Sequence, residues 1–317
     1  MRAIRFTRKD IPGIRYEEAP EPSLAGKKEV LVRVYATSVM WQEPQWVETW
    51  KTTAGTERTH PIPGHDLSGV VVAVGDEVTG VKAGDAVYAL TEFDRDGAAA
   101  EYTIAHESEL APKPRSLTHV QAAAIPLVGL TAWQALFQHG KLEAGQTILI
   151  HGAAGGVGSI AVQLAHWAGA HVIATASAKN HAFLRELGAD EVIDYRTTRF
   201  EEQVQAVDLV LDTVGGATVD RSWSVLKKGG RLISVFAPIS EEKANEHGVH
   251  SAFFVVRPSR EELIQLGKRI DEGHIQPIIE QVFPLEEAPA AFAQASRGHT
   301  RGKLILQVRE DESSITH

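Results

Sequence analysis

The 317-residue chain contains no cysteine. That excludes a disulfide framework, a thiolate nucleophile and any cysteine-based zinc or iron–sulfur centre. It also lacks long apolar runs. The N-terminal "MRAIRFTRKD" reads as a strand rather than a signal peptide, and no stretch reaches the ~20 apolar residues that cross a bilayer. A cytoplasmic protein is therefore expected. An excess of basic residues is missing too. The net charge of −9 argues against broad nucleic-acid binding, which needs a basic footprint, but leaves room for a local pocket that takes a small anion. What is present is ordinary globular composition, 43% hydrophobic and 23% charged. The length suits two domains and a core that needs no covalent staples.

Residues 1 to about 125 read as β-rich. "EVLVRVYATSV" alternates, with Val30, Val32, Val34 and Ala36 on one side of the pleat. "LSGVVVAVGDEVTGVKAGDAVYAL" is a glycine-punctuated set of short valine-rich strands, and "AEYTIAH" is another strand. Beyond "TAWQALFQHGKLEAGQ", strands alternate with helices: "TILIHG", then helical "GVGSIAVQLAHWAG", then "HVIATAS", "AKNHAFLRELGA", "EVIDYR", "VDLVLDTVG", helical "GATVDRSWSVLKKGG" and "RLISVFA". Such alternation implies right-handed crossovers and a parallel sheet covered on both faces. The tail "REDESSITH" is polar and expected to fray.

"ILIHGAAGGVGSIAVQLA" supplies the strand, turn and helix that a dinucleotide site requires. Ala153, Gly155 and Gly158 take the spacing of the G-x-G-x-x-G fingerprint, with Gly156 as an extra glycine. Gly155 lets backbone approach a pyrophosphate, Gly158 lets helix and strand pack closely, and the helix N-terminus offers free N–H groups. The bland alternative is a structural glycine-rich turn. The next strand selects the cofactor. An NAD site usually ends it with an acid for the ribose 2′-hydroxyl. Here it ends "ATASAKN", with no acid before Glu186. Ser177, Lys179 and Asn180 instead offer donors and charge suited to a 2′-phosphate, and Tyr195 can flank the same pocket. NADP(H) is the expected cofactor; a solvated first-turn lysine is the competing account of Lys179.

At these motifs the chain resembles the zinc-free branch of the medium-chain dehydrogenase/reductase superfamily, the quinone oxidoreductase (zeta-crystallin-like) group. The resemblance rests on "PIPGHDLSGVVVAVGDEVTGVKAGDAVYAL", "AAAIPLVGLTAWQAL", "ILIHGAAGGVGSIAVQLA", "LGADEVIDY" and "RGKLILQV", in that order. It implies an α/β protein: a GroES-like β-rich catalytic domain over 1–124, completed by 257–317, and a doubly wound Rossmann domain over 125–256. The active site would be the cleft between them, and a homodimer would form through the nucleotide domains.

By position, the resemblance puts Thr131 near the nicotinamide with Leu127 and Val128 along the same wall, and gives Gly155, Gly156 and Val157 to the pyrophosphate. Ser177, Lys179, Asn180 and Tyr195 would surround the adenosine phosphate. Thr213 and Val214 would contact the adenosine side or adjoining ribose. Phe236 would run beside the nicotinamide ribose and carboxamide, with Phe253 and Phe254 close by and Lys303 at the nicotinamide end. Core packing is the alternative for the two phenylalanines, and a helix N-cap for Thr131. Zinc-bearing relatives place a cysteine where this chain has Val39-Met40, and "GHE" where it has "GHD". Only His65 remains of that set, so no catalytic metal is expected. Met40 also replaces an asparagine found in many zinc-free members.

The implied chemistry is hydride transfer to a quinone or an α,β-unsaturated carbonyl, with the two π systems aligned and water excluded. Lys303 or a backbone N–H would stabilise the oxyanion. "SVMWQEPQWVETW", with Trp41, Trp46 and Trp50, would then face the nicotinamide as a flat apolar wall. Trp41 and Trp46 are assigned to the site and Trp50 to packing; Glu43, if buried among the indoles, could be an acid. Two other readings stay open: a tailoring enoyl reductase for a larger acyl or polyketide-type substrate, and an NADPH-binding regulator with little turnover.

Overall fold

The structure is a computed structural model that describes residues 1–7, 13–298 and 300–311. The polar tail from residue 312 onward, and "RKD" after the first strand, lie outside the described residues. The chain forms two compact units, Met1–Leu127 with Arg257–Glu272 and Pro277–His317, and Val128–Val256 with Gly273–Gln276.

The chain first lays down β1 (Arg2–Thr7), β2 (Gly13–Glu18), β3 (Glu29–Ser38), α1 (Val47–Trp50), β4 (Asp66–Val74), β5 (Ala86–Leu90), β6 (Tyr102–His106), β7 (Ala111–Pro112) and α2 (His119–Ala122). It continues through α3 (Pro126–Trp133), β8 (Thr147–Ile150), α4 (Gly156–Trp167), β9 (His171–Ala176), α5 (His181–Glu186), β10 (Glu191–Asp194), β11 (Val207–Asp212), α6 (Ala217–Ser222), β12 (Leu226–Ser234), α7 (Glu241–His247) and β13 (His250–Phe253). It closes with α8 (Arg260–Asp271), β14 (Ile279–Pro284), α9 (Ala288–Ser296) and β15 (Lys303–Gln307).

In the first unit β3 is the hub. It pairs antiparallel with β4, β6 and β15. Its alternation works as the sequence implies: Val30, Val32, Val34 and Ala36 are wholly buried. The three valines pack with Leu67, Val87 and Leu110. A second cluster joins Ile4 and Phe6 of β1 to Phe292 of α9 and Leu304 and Leu306 of β15. Each such aliphatic or aromatic burial contributes about 1.5–3 kcal/mol. α8 starts at Ser259, whose side chain accepts the Glu262 N–H, and buries Leu263, Leu266 and Ile270 on one helical stripe.

The second unit is an all-parallel sheet of order β10-β9-β8-β11-β12-β13. Its strands are apolar on both faces, as buried parallel strands must be: Ile148, Leu149 and Ile150 are wholly buried, and so are Val210 and Leu211. The chain winds outward from β8 to β10, then restarts on the other side at β11, so the order reverses beside β8. Residues 273–276 also belong to this unit, and a side chain of α4 ties them to it. Buried Gln163 of α4 donates to the Gln276 carbonyl at 3.1 Å and accepts its N–H at 2.8 Å.

Two local expectations are corrected. The helix read across "GATVDRSWSVLKKGG" ends at Ser222 with a 3₁₀ turn over Trp223–Val225, and the "LKKGG" stretch opens β12. Gly229 has φ +78°, which a helix does not tolerate. Thr131 is not an N-cap. It lies inside α3, which starts at Pro126, and the helix then widens into a π-turn over Gln134–His139, where the Gly140 N–H reaches back to the Ala135 carbonyl at 2.8 Å. The stretch His119–His139 is long and apolar enough to cross a bilayer by length and composition, unlike the sequence-based expectation, but 78% of that window is buried within the protein, as in a core helix.

Candidate functional site

The glycine turn follows β8 directly. Gly152 has φ +66°, and the Gly155 N–H closes the turn onto the Gly152 carbonyl at 3.0 Å. A Cβ on Gly158 would lie 2.4 Å from the Gly152 oxygen and 2.6 Å from the Ala153 Cα, so only glycine fits there. At Gly155 a Cβ would lie 3.3 Å from the Gly152 carbonyl oxygen, a tight contact with backbone. Gly155 is the N-cap of the 12-residue α4 and carries no side-chain cap, leaving the N–H groups that follow to a ligand. Gly156 and Val157 sit at this end, half-buried. A cradle with backbone approach, an uncapped helix end and no room for side chains fits a dinucleotide pyrophosphate.

Ser177 ends β9. It and Asn180 are buried, with the Asn180 N–H on the Ser177 carbonyl at 2.9 Å, while Lys179 between them is exposed. Tyr195, beyond β10, is 49% exposed. Two residues here escaped the sequence reading. Asp194 accepts the Ala178 N–H at 3.2 Å and the Arg196 N–H at 3.0 Å, pinning the turn that carries Lys179. Exposed Arg196 stands over the Tyr195 ring at 5.8 Å and adds a second cation at this end. Both come from a strand that neighbours β9 only after folding.

On the other side of β8, Thr213 is half-buried and donates to the His151 carbonyl at 2.8 Å. Val214 is 46% and Phe236 59% exposed, at the C-terminal ends of β11 and β12. Phe253, at the end of β13, is also exposed, whereas Phe254 stacks on His139 at 4.3 Å. Val128 and Thr131 are buried in α3. His151 is buried under the turn. Its Nε2 meets Ser222 Oγ at 3.1 Å and its Nδ1 meets Thr175 Oγ1 at 3.0 Å. Ser222 spends its proton on the Thr218 carbonyl, so Nε2–H donates to it and Nδ1 accepts from Thr175. Burial, helped by nearby Arg221, pushes the His151 pKa down to about 3 and keeps the ring neutral.

In the first unit the tryptophans separate by role. Trp41 is 38% exposed. Trp46 is half-buried, edge-on to Phe93 at 5.2 Å. Trp50 packs near Phe6 and donates from Nε1 to the Pro44 carbonyl at 2.8 Å. Glu43 is buried. Its Oε1 lies 3.1 Å from His65 Nε2 and accepts the Gly64 N–H at 2.9 Å. His65 Nδ1 meets Thr91 Oγ1 at 3.2 Å, and Phe93 packs edge-on against the imidazole. A second buried cluster centres on Asp66, which the sequence did not single out. It accepts the Ser38 hydroxyl and the Leu127 N–H, the latter at 2.6 Å, and lies 3.5 Å from the Lys303 ammonium. Asp66 and Lys303 are both buried.

Two family models match this chain: an alcohol dehydrogenase GroES-like domain over residues 26–115 and a zinc-binding dehydrogenase domain over 187–306. The human mitochondrial NAD(P)H oxidoreductase RTN4IP1 is 34% identical over 90% of this chain and 83% of its own length. The chloroplastic NADPH-dependent alkenal/one oxidoreductase of Arabidopsis thaliana is 35% identical over 77% of this chain and 63% of its own. The solved quinone oxidoreductase of Coxiella burnetii superposes with a TM-score of 0.89 at 34% identity, over 98% of this chain and 99% of that one. The chain belongs to the medium-chain dehydrogenase/reductase superfamily, within its quinone oxidoreductase-like group. It is an oxidoreductase of the NAD(P)H type, and NADP(H) is its cofactor.

A match to a zinc-binding dehydrogenase domain raises the question of a metal site. Among the described residues no three His, Asp or Glu side chains converge on a point. His65, at the position of a ligand in zinc-bearing members, has both ring nitrogens occupied by Glu43 and Thr91. These residues do not fit zinc. The organelle names of the relatives give the expectation of a cytoplasmic location no support.

Proposed function

We propose that the chain reduces a quinone or an α,β-unsaturated carbonyl with NADPH. The observation that carries this reading is the buried Lys303 ammonium, held by Asp66, in a superfamily member whose relatives include an alkenal/one oxidoreductase and a quinone oxidoreductase. NADPH, when bound, supplies the hydride. Gly156 and Val157 would take its pyrophosphate on backbone N–H groups, and Gly155, whose own N–H closes the turn, would let the backbone come close. Ser177, Asn180 and exposed Lys179 take the 2′-phosphate, with Tyr195 against the adenine side. Thr213 and Val214 contact its adenosine side or adjoining ribose, Phe236 and Phe253 flank its nicotinamide half, and Val128 and Thr131 wall it. Phe254, spent on His139, serves packing.

Lys303 donates a hydrogen bond to the oxygen on which negative charge gathers, with solvent as the final proton source. Trp41 and Trp46 offer the acceptor a flat face with indole N–H donors. Glu43 anchors the tryptophan segment through His65 and Gly64 rather than giving up a proton. The reading keeps a homodimer.

The test is oxidation of NADPH and of NADH across a panel of quinones, alkenals and enoyl thioesters. Turnover of quinones or alkenals with NADPH preferred is expected. Tight NADPH binding with no oxidation across the panel overturns the reading in favour of a binding protein.

A further inference from the structure

The mechanism makes no use of Asp212, a carboxylate at the end of β11 with no exposed surface. No cation pairs with it among the described salt bridges; its charge is met by short-range donors. The Val214 N–H reaches Oδ1 at 3.2 Å, and the Gly215 N–H reaches both oxygens at 3.0 Å. The Ser234 hydroxyl donates to Oδ2 at 3.0 Å, and the same hydroxyl oxygen accepts the Phe236 N–H at 3.2 Å. The Asp212 carbonyl takes the Val235 N–H at 3.1 Å. One buried carboxylate therefore organises the loops that leave β11 and β12.

The steric contacts run along the same line. A Cβ on Gly215, whose φ is +80°, would fall 2.3 Å from the Phe236 ring, so that ring rests directly on the β11 loop. A Cβ on Gly152 would fall 2.3 Å from Thr213 Oγ1. The glycine turn, the β11 loop and Phe236 thus form one interlocked row. In a doubly wound sheet, ligands bind outside the carboxyl ends of the strands where the order reverses, and the strand after the glycine turn takes the adenosine ribose. Here that strand is β9, so the nicotinamide half falls to the far side of β8, where the end of β12 presents the exposed ring of Phe236.

We propose that Asp212 is a positioning residue that sets Phe236 for the nicotinamide half of NADPH. Its effect is carried by Ser234 and Gly215, and it leaves alone the 2′-phosphate end at Ser177, Lys179 and Asn180. The proposal rests on NADP(H) as cofactor.

The experiment measures binding of NADPH and of 2′,5′-ADP, which carries only the adenosine end, to the purified full chain. The variants are Asp212→Asn, Ser234→Ala, Phe236→Ala and the Ser234→Ala/Phe236→Ala double variant. Asp212→Asn and Ser234→Ala are each expected to weaken NADPH about five- to tenfold and 2′,5′-ADP less than about twofold. On the Phe236→Ala background, Ser234→Ala is expected to cost nothing further, because the ring it positions is gone. Equal losses for both ligands, unchanged NADPH binding, or losses that add to those of Phe236→Ala overturn the proposal. If Asp212→Asn does not fold, Ser234→Ala and the double variant decide it alone. A wild-type chain that binds neither ligand overturns the cofactor assignment instead.

Discussion

The two units bury polar groups in different ways. The first hides Glu43 against His65, Asp66 against Lys303 and Glu109 against Arg95, pairing ionisable side chains, and buries one further histidine, His119, against the Ser68 hydroxyl. The second, among its described residues, buries two ionisable side chains, Asp212 and His151. Backbone N–H groups and a serine satisfy Asp212, and hydroxyls hold His151 neutral. A nucleotide edge built on backbone needs little from side-chain charge, whereas the unit that carries the tryptophans and Lys303 depends on paired charge.

The largest effect should come from breaking a pair in the first unit. Asp66→Asn leaves the Lys303 ammonium buried without its carboxylate, which should cost about 3–5 kcal/mol in urea unfolding. A cost below about 1 kcal/mol would erase the contrast between the units. His151 tests the other side. Its folded pKa of about 3 lies below an ordinary histidine's, so between pH ~6.5 and ~3 the unfolded chain holds the extra proton. Stability should therefore fall as pH drops through that window, by up to about 1.4 kcal/mol per pH unit. His151→Gln should flatten the part of that slope which unfolding at pH 7, 6 and 5 attributes to this ring; His119 of the first unit, pushed down to about 4 by burial, adds a slope of the same sign that the variant leaves in place. The smallest expected change is Trp41→Ala. With its indole exposed, it should shift stability by less than about 0.5 kcal/mol while lowering kcat/KM for a quinone or alkenal. Unchanged kinetics would remove it from the substrate wall.

What was legible follows the same divide. The valine alternation of β3 and the strand, glycine turn and helix at residues 147–167 are written in neighbouring positions, where period and glycine spacing report directly. The Asp66–Lys303 and Glu43–His65 pairs are not, because their partners lie far apart in sequence and meet only once the sheet has closed. Asp194 escaped because the acid was sought at the end of β9, whereas this one arrives from β10 alongside. Asp212 and His151 flank the glycine motifs in plain view, but nothing in a linear pattern distinguishes a buried aspartate that caps loops from one in solvent.

Gln163 has a consequence for how this gene could be divided. Its buried amide is satisfied by the Ser159 carbonyl and by residue 276, which the chain reaches only after it has left the second unit and contributed α8 to the first. A coding segment cut at residues 128 and 256 would therefore yield a nucleotide-binding fragment with a buried amide lacking a donor and an acceptor. The nucleotide-binding module is not a continuous word of the sequence. A minimal version would need residues 273–276 spliced back in.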